Sequence, residues 1–200
     1  TDVYVRIIDY KTGKKDFNIV KTYYGIDIQL MVYMEAAMKL VAKMRPGKNV
    51  IPAGVFYYNI SDPIVSATTE SAEEIEDKIK GELRLKGMVN SDKDIAEKMD
   101  NTEGTSLNIP VSRKADGGFD SRRSKVMNTE QFNILGRFVD VRAIDTADRI
   151  AGGDIRRSPY KDGQFSSCDR CPYGAVCGFS VDLPGCNYRK LKKFDDEVLW

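Results

Sequence analysis

Apolar and polar positions alternate from the start of this chain. Val3, Val5 and Ile7 share one side of a period-two pattern that runs on into Asp9 and Lys11. The pattern predicts a strand over Asp2–Tyr10. After a polar loop at 12–18 the period changes. Over Thr22–Lys43 apolar residues fill most positions, among them Ile26, Ile28, Leu30, Met31, Val32, Met34 and Leu40. That predicts a long helix, apolar nearly all round and therefore buried. Arg45-Pro46-Gly47-Lys48 stops it. Pro52–Ile60 (PAGVFYYNI) reads as a second central strand ended by Asp62-Pro63. A strand–helix–strand run of this length implies a right-handed parallel crossover.

Further on, Ser71–Leu85 reads as a polar helix, and Asn90–Gly118 as loop-rich around a short helix at Asp92–Met99. Asn128 or Thr129 is a good N-cap for a last long helix. Phe132, Leu135, Phe138, Val139, Ala143, Ala147 and Ile150 give that helix its stripe, and Ala151-Gly152-Gly153 ends it. Asp154–Tyr160 adds a short extended piece before a cysteine-rich end.

Composition sets the outer bounds. Two hundred residues, 42% hydrophobic and 30% charged, describe a soluble globular chain able to bury a core. No apolar run is long enough to cross a bilayer, so no membrane span is expected. A net charge of +1 says nothing for nucleic acid by itself. Local basic clusters say more: Lys11/Lys14/Lys15, Arg113/Lys114, Arg122/Arg123/Lys125, Arg156/Arg157 and Arg189/Lys190/Lys192/Lys193 are placed to meet phosphates or simply to solvate the surface. The chain has no histidine. Mechanisms that need a His base or a His-ligated metal are excluded, and chemistry rests on carboxylates, Lys, Tyr or thiolates.

Asp9-Tyr10-Lys11 puts a carboxylate and an ammonium side by side at the lip of the first strand. The pair suits phosphodiester hydrolysis, the Asp holding a hard divalent cation and the Lys orienting water and offsetting charge. The plain alternative is a strand end followed by the polar turn Thr12-Gly13-Lys14. On the next helix Gln29 and Tyr33 stand at i and i+4, on one face. Their plain reading is a satisfied core amide and a core aromatic. D-x-K on a strand followed by Q-x-x-x-Y on a helix is more specific than either part alone.

All four cysteines fall in one stretch, SSCDRCPYGAVCGFSVDLPGC. Cys168, Cys171 and Cys177 form C-x2-C-x5-C, and Cys186 follows. Thiols at this spacing chelate a soft metal centre. An iron–sulfur cluster, a zinc site with Cys186 as fourth ligand, and no metal at all stay open from spacing alone. Disulfides fit poorly with an otherwise cytosolic composition.

On these residues the chain resembles the RecB-type branch of the PD-(D/E)XK nucleases. Asp9-Tyr10-Lys11 matches the (D/E)xK motif and Gln29–Tyr33 the QxxxY motif. The cysteine stretch, with Arg157–Gly163 before it, is similar to the C-terminal nuclease domain of the AddB family, the B subunits of ATP-dependent helicase–nucleases. The family's GxxD motif belongs about a hairpin upstream of Asp9 and is not among these residues; Asp2 lacks its glycine pattern.

The resemblance implies an α/β restriction-endonuclease-like core with a mixed central sheet flanked by helices at 1–160, and a Cys-rich iron–sulfur tail at 161–200. It implies Mg2+-dependent DNA exonuclease activity in double-strand-break repair. Asp9 and the Tyr10 carbonyl would be metal ligands, Lys11 would activate water, and Gln29 and Tyr33 would support the site or contact DNA. Cys168, Cys171 and Cys177 would hold a 4Fe-4S cluster, with a fourth cysteine upstream and Cys186 a non-ligand. Without the upstream Asp and Cys, residues 1–200 alone are expected to be an incomplete nuclease. The implied partners are DNA and, as heterodimer partner, the A-type helicase–nuclease chain. The implied compartment is the cytoplasm. A stand-alone CRISPR-associated exonuclease and an inactive DNA-binding scaffold are the alternatives.

Overall fold

The computed structural model describes residues 2–60, 62–66, 71–192 and 194. Lys193, the last member of the final basic cluster, lies outside them. The chain divides into two compact units, Thr1–Asp140 and Val141–Trp200.

The first unit is built on a four-stranded mixed sheet. Strand β1 covers Asp2–Lys11. Two helices follow, α1 over Ile19–Tyr23 and α2 over Gln29–Met44. Strand β2 runs over Asn49–Asn59 and pairs with β1 in parallel, as the strand–helix–strand pattern requires. Next come α3 (Ala72–Leu83), β3 (Lys86–Asn90), α4 (Lys93–Met99), β4 (Val126–Met127) and α5 (Thr129–Ala151), which crosses the boundary between the units. The sheet order is β1-β2-β3-β4, with β2 and β3 antiparallel and β3 and β4 parallel. The mixed α/β architecture is the one expected.

A β-bulge interrupts the long β1–β2 ladder. Val5 is opposite Pro52 and Arg6 is opposite Gly54, leaving Ala53 as the extra residue. Beyond the bulge, Ile7, Asp9 and Lys11 face the same side as Val55, Tyr57 and Asn59. On the opposite side Phe56 packs with Val89, Ala96, Ile109 and Val111. Gly87 is opposite Phe56, and only glycine fits there: a Cβ would sit 1.9 Å from the Val55 carbonyl oxygen.

Three expectations are corrected. The helix predicted over Thr22–Lys43 is two helices. Gly25 takes φ 74°, and the Thr22 hydroxyl donates to the Asp27 carbonyl at 2.9 Å, which closes a turn between them. Gln29 is consequently the first residue of α2. That helix is not buried all round either. It packs on β1 and β2 through Leu30, Met31 and Met34, while Leu40 and Met44 are exposed. The stripe of α5 is likewise buried only at Phe132, Leu135 and Val139, and Ile150 is exposed.

Two short strands, β3 and β4, have no counterpart in the sequence reading, and the loop between α4 and β4 is held by specific side-chain bonds. Asp100 organises it, accepting from the Ser106 hydroxyl and the Asn108 amide, both at 2.8 Å. The Arg84 guanidinium ties it down by donating to the carbonyls of Ile109 (2.7 Å) and Val111 (3.0 Å).

The second unit carries a small sheet of order β6-β5-β7, formed by β5 (Tyr160–Asp162), β6 (Phe165–Ser166) and β7 (Arg189–Lys190). One turn of helix, α6 (Gly174–Cys177), lies between β6 and β7.

Candidate active site

Strand β1 delivers Asp9 and Lys11 to one face, because two residues return a side chain to the same side. The Lys11 ammonium lies 2.7 Å from Asp9 Oδ2. It also donates to Gln29 Oε1 at 2.8 Å. Gln29 Nε2 then donates to the Tyr33 hydroxyl at 2.9 Å, one helical turn on. The four side chains predicted from sequence thus form one chain of polar contacts from the end of β1 to the first turn of α2. Gln29 is half-buried, and its carbonyl and amide ends each have a partner. Tyr33 is 45% exposed, which does not fit a core aromatic.

Asp9 Oδ2 is buried and accepts no hydrogen bond of acceptable geometry, although the Lys11 ammonium stands beside it. A buried carboxylate oxygen without a donor is costly unless a cation meets it. Lys11 supplies part of that charge, and the remaining lone pairs suit a hard divalent ion. Tyr10 points to the other face and is 64% exposed, its ring edge-on to Tyr58 with centroids 5.6 Å apart. A metal-ligand role for Tyr10 therefore falls to its main-chain carbonyl. Among the described residues no three His, Cys, Asp or Glu side chains gather at one point.

Three further residues belong to this site and were missed. Asp27 is buried in the turn before α2. Its Oδ1 accepts from the Tyr57 hydroxyl at 2.9 Å, and its Oδ2 lies 2.9 Å from the Lys15 ammonium. Tyr57 is fully buried beside Asp9, its register partner. Burial first, then the hydrogen bond to Asp27 and the charges of Asp27 and Asp9, push its phenol well above the usual range. Lys11 and Lys15 each sit over the Tyr57 ring, 5.6 Å from its centre. Asn59 grips the Lys15 main chain, accepting from its N–H and donating to its carbonyl, both at 3.0 Å. The one sequence signal was an Asp two residues before the Gln. The role of Tyr57 depends on strand register, which no local pattern carries.

In the second unit all four cysteines are free thiols. Cys168 and Cys171 are exposed in one turn, where the Cys171 N–H donates to the Cys168 carbonyl at 3.1 Å. Cys177 ends α6, and Gly178 follows in the left-handed region, φ 62°. The Arg157 guanidinium donates to the carbonyls of Cys177 (3.1 Å) and Gly178 (2.9 Å). Thiols held by turns on so short a stretch suit a soft metal centre by chemistry, although they do not converge here.

The chain is similar to known proteins over most of its length. The family described as the PD-(D/E)XK nuclease superfamily matches residues 1–178. Proteins named as the B subunit of an ATP-dependent helicase/deoxyribonuclease are similar over nearly the whole chain. That of Thermoanaerobacter sp. (strain X514) is 36% identical over 199 residues, or 98% of this chain. That of Clostridium botulinum (strain Hall) is 39% identical over the same length. That of Caldanaerobacter subterraneus subsp. tengcongensis is 39% identical over 201 residues, all of this chain. The chain spans 17% of the length of each of these relatives.

Proposed function

Because the chain belongs to the PD-(D/E)XK nuclease superfamily, we propose that it is the nuclease part of a helicase–nuclease that hydrolyses DNA phosphodiesters with Mg2+. The single observation that carries the reading is the unbroken polar chain Asp9–Lys11–Gln29–Tyr33.

Asp9 and the Tyr10 carbonyl would hold Mg2+, which when bound supplies Lewis-acid charge at the scissile phosphate. The residues around it do the rest. Lys11, fixed between Asp9 and Gln29, positions and activates the attacking water and offsets charge on the phosphoryl oxygens. Gln29 holds the Lys11 ammonium in place, and Tyr33, fastened to Gln29 but exposed, is free on its outer side to meet the DNA backbone. Tyr57 and Asp27 form the buried wall behind them.

Cys168, Cys171 and Cys177 would supply three thiolates to a 4Fe-4S cluster, with the fourth ligand from elsewhere in the parent polypeptide. The exposure of Cys168 and Cys171 and the Arg157 anchor behind Cys177 support this. The relatives' name, a B subunit, supports a partner subunit; on the family resemblance, the proposal extends to an A-type helicase–nuclease partner, recombinational break repair and the cytoplasm.

The test is cleavage of end-labelled DNA by the full-length protein with Mg2+ and with EDTA, alongside iron analysis. Mg2+-dependent cutting lost in Asp9→Ala, and iron lost in Cys171→Ser, are the expected results. Cutting that persists in Asp9→Ala overturns the catalytic assignment, and unchanged iron in Cys171→Ser overturns the cluster.

A further inference from the structure

We propose that a basic trough beside the site, lined by Lys14, Lys15, Lys86, Arg123 and Lys125, takes the sugar–phosphate backbone of one DNA strand and leads it to Asp9 and Lys11. The proposal rests on the nuclease reading above and adds where the substrate lies and in what form.

The trough is a concavity of about 480 Å3, and six of its lining side chains are cationic against two acidic ones, Asp16 and Glu82. A chain whose net charge is only +1 has gathered this excess in one hollow. The acids cancel only part of it: Asp16 is held by Lys125 at 2.5 Å, and Lys15 is paired with Asp27 at 2.9 Å. Arg84 is held by the carbonyls of Ile109 and Val111, with Asp100 as its carboxylate neighbour, and is turned to the loop rather than to the hollow's open side. Lys14, Lys86 and Arg123 have no carboxylate partner among the described residues. Clustered cations left without counterions favour a polyanion, because binding releases the counterions condensed on its phosphates.

The trough connects to the chemistry through Tyr57. Lys15, on its lining, and Lys11, in the site, stack over the same ring, each 5.6 Å from its centre. The two ammoniums are no more than twice that distance apart, within reach of nearby phosphates of one strand. Lys15 is also the best-fixed cation of the trough, held by Asp27 and by Asn59.

A single strand is favoured over a duplex because the hollow, about 480 Å3, has room for one sugar–phosphate backbone and not for two paired strands.

The test measures binding, so that it stands apart from cleavage. Full-length protein carrying Asp9→Ala is titrated with a labelled single-stranded oligonucleotide of about 20 nucleotides, and with the matching duplex, across ~0.05–0.2 M salt. Adding Lys14→Glu, Lys86→Glu and Arg123→Glu together should weaken single-strand binding at least tenfold. It should also flatten the slope of log affinity against log salt by about 2, three contacts at roughly 0.7 each. Thermal melting confirms the fold; if the reversals unfold the protein, the Gln versions of the three should move the slope in the same direction by less. Tight single-strand binding with unchanged affinity and slope overturns the trough and leaves the nuclease reading standing. A loss confined to the duplex overturns the single-strand assignment. Failure of the Asp9→Ala protein to bind either DNA overturns both readings.

Discussion

The Lys11 ammonium reaches across from the end of a strand to the Gln29 side-chain oxygen at the start of a helix, 2.8 Å away. The same ammonium lies 2.7 Å from Asp9. A flexible four-carbon side chain has been given two anchors, which fixes the position of its charge before any substrate arrives. Fixed charge is what electrostatic stabilisation of a developing anion requires.

Replacing Lys11 with Ala removes that charge while leaving the strand intact. DNA cleavage should fall to background, and binding of the same DNA should persist within a few-fold. Gel-shift and nuclease assays on one preparation check this; near-normal cutting would show that Lys11 is only a strand-end lysine.

Gln29→Ala leaves Lys11 held by Asp9 alone. Loss of one hydrogen-bond partner typically costs about 1–3 kcal/mol, which in kcat corresponds to roughly 5- to 150-fold. The decrease should be clear but smaller than for Asp9→Ala. If the variant cuts like the parent and merely melts earlier, Gln29 is a packing residue.

Tyr57→Phe deletes the hydroxyl that donates to Asp27 at 2.9 Å. The buried carboxylate then keeps Lys15 as its partner, and the ring beneath Lys11 and Lys15 is retained. Stability should fall by about 1–3 kcal/mol, the cost of a buried acceptor losing a donor. Chemical denaturation measures it; an unchanged midpoint would mean that Asp27 draws its stability from Lys15 alone.

Asp100 predicts a pH dependence. Burial would raise its carboxyl, but hydrogen bonds from Thr102, Ser106 and Asn108 together outweigh that and hold it down at about 2. The unfolded value is about 3.9. A depressed folded pKa stabilises fully above the unfolded value, and the contribution is lost as pH falls from about 4 to about 2. Asp100→Asn should lower stability near neutral pH and remove this part of the acid sensitivity. Urea denaturation of both proteins between about pH 5 and pH 2.5 reads it, and parallel curves would show that Asp100 contributes nothing to it.

Much of the site was legible because it lies on regular elements. Asp9 and Lys11 are two apart on a strand, and Gln29 and Tyr33 are four apart on a helix, so local periodicity placed each pair correctly. What failed was long-range. Nothing in the apolar run at 22–43 announced that Gly25 would adopt a left-handed conformation and split it. Strand β3 is five residues long with a glycine inside, a pattern too short to stand out until Phe56 is seen packing across it. The loop at 100–113 looked irregular because its order comes from the side chain of Asp100 rather than from a repeating pattern. Tyr57 could be found only by knowing which residue of β2 stands opposite Asp9, and Asp27, two residues before Gln29, gains its meaning from the bond Tyr57 makes to it.

That alignment hangs on one alanine. Ala53 acts as a phase offset between two parallel strands, a single residue counted on one side of the ladder and skipped on the other. Side chains along a strand have only two phases, so an offset of one exchanges them completely. Were Ala53 drawn into the ladder opposite Arg6 and the bulge lost, Phe56 would come to stand opposite Asp9, a hydrocarbon face where the carboxylate now has the Tyr57 ring and the Asp27 network. The Tyr57 hydroxyl would be turned into the layer of Val89 and Val111, which offers it no acceptor side chain. The most delicate setting in this site is thus a count, fixed by a residue that touches none of its chemistry.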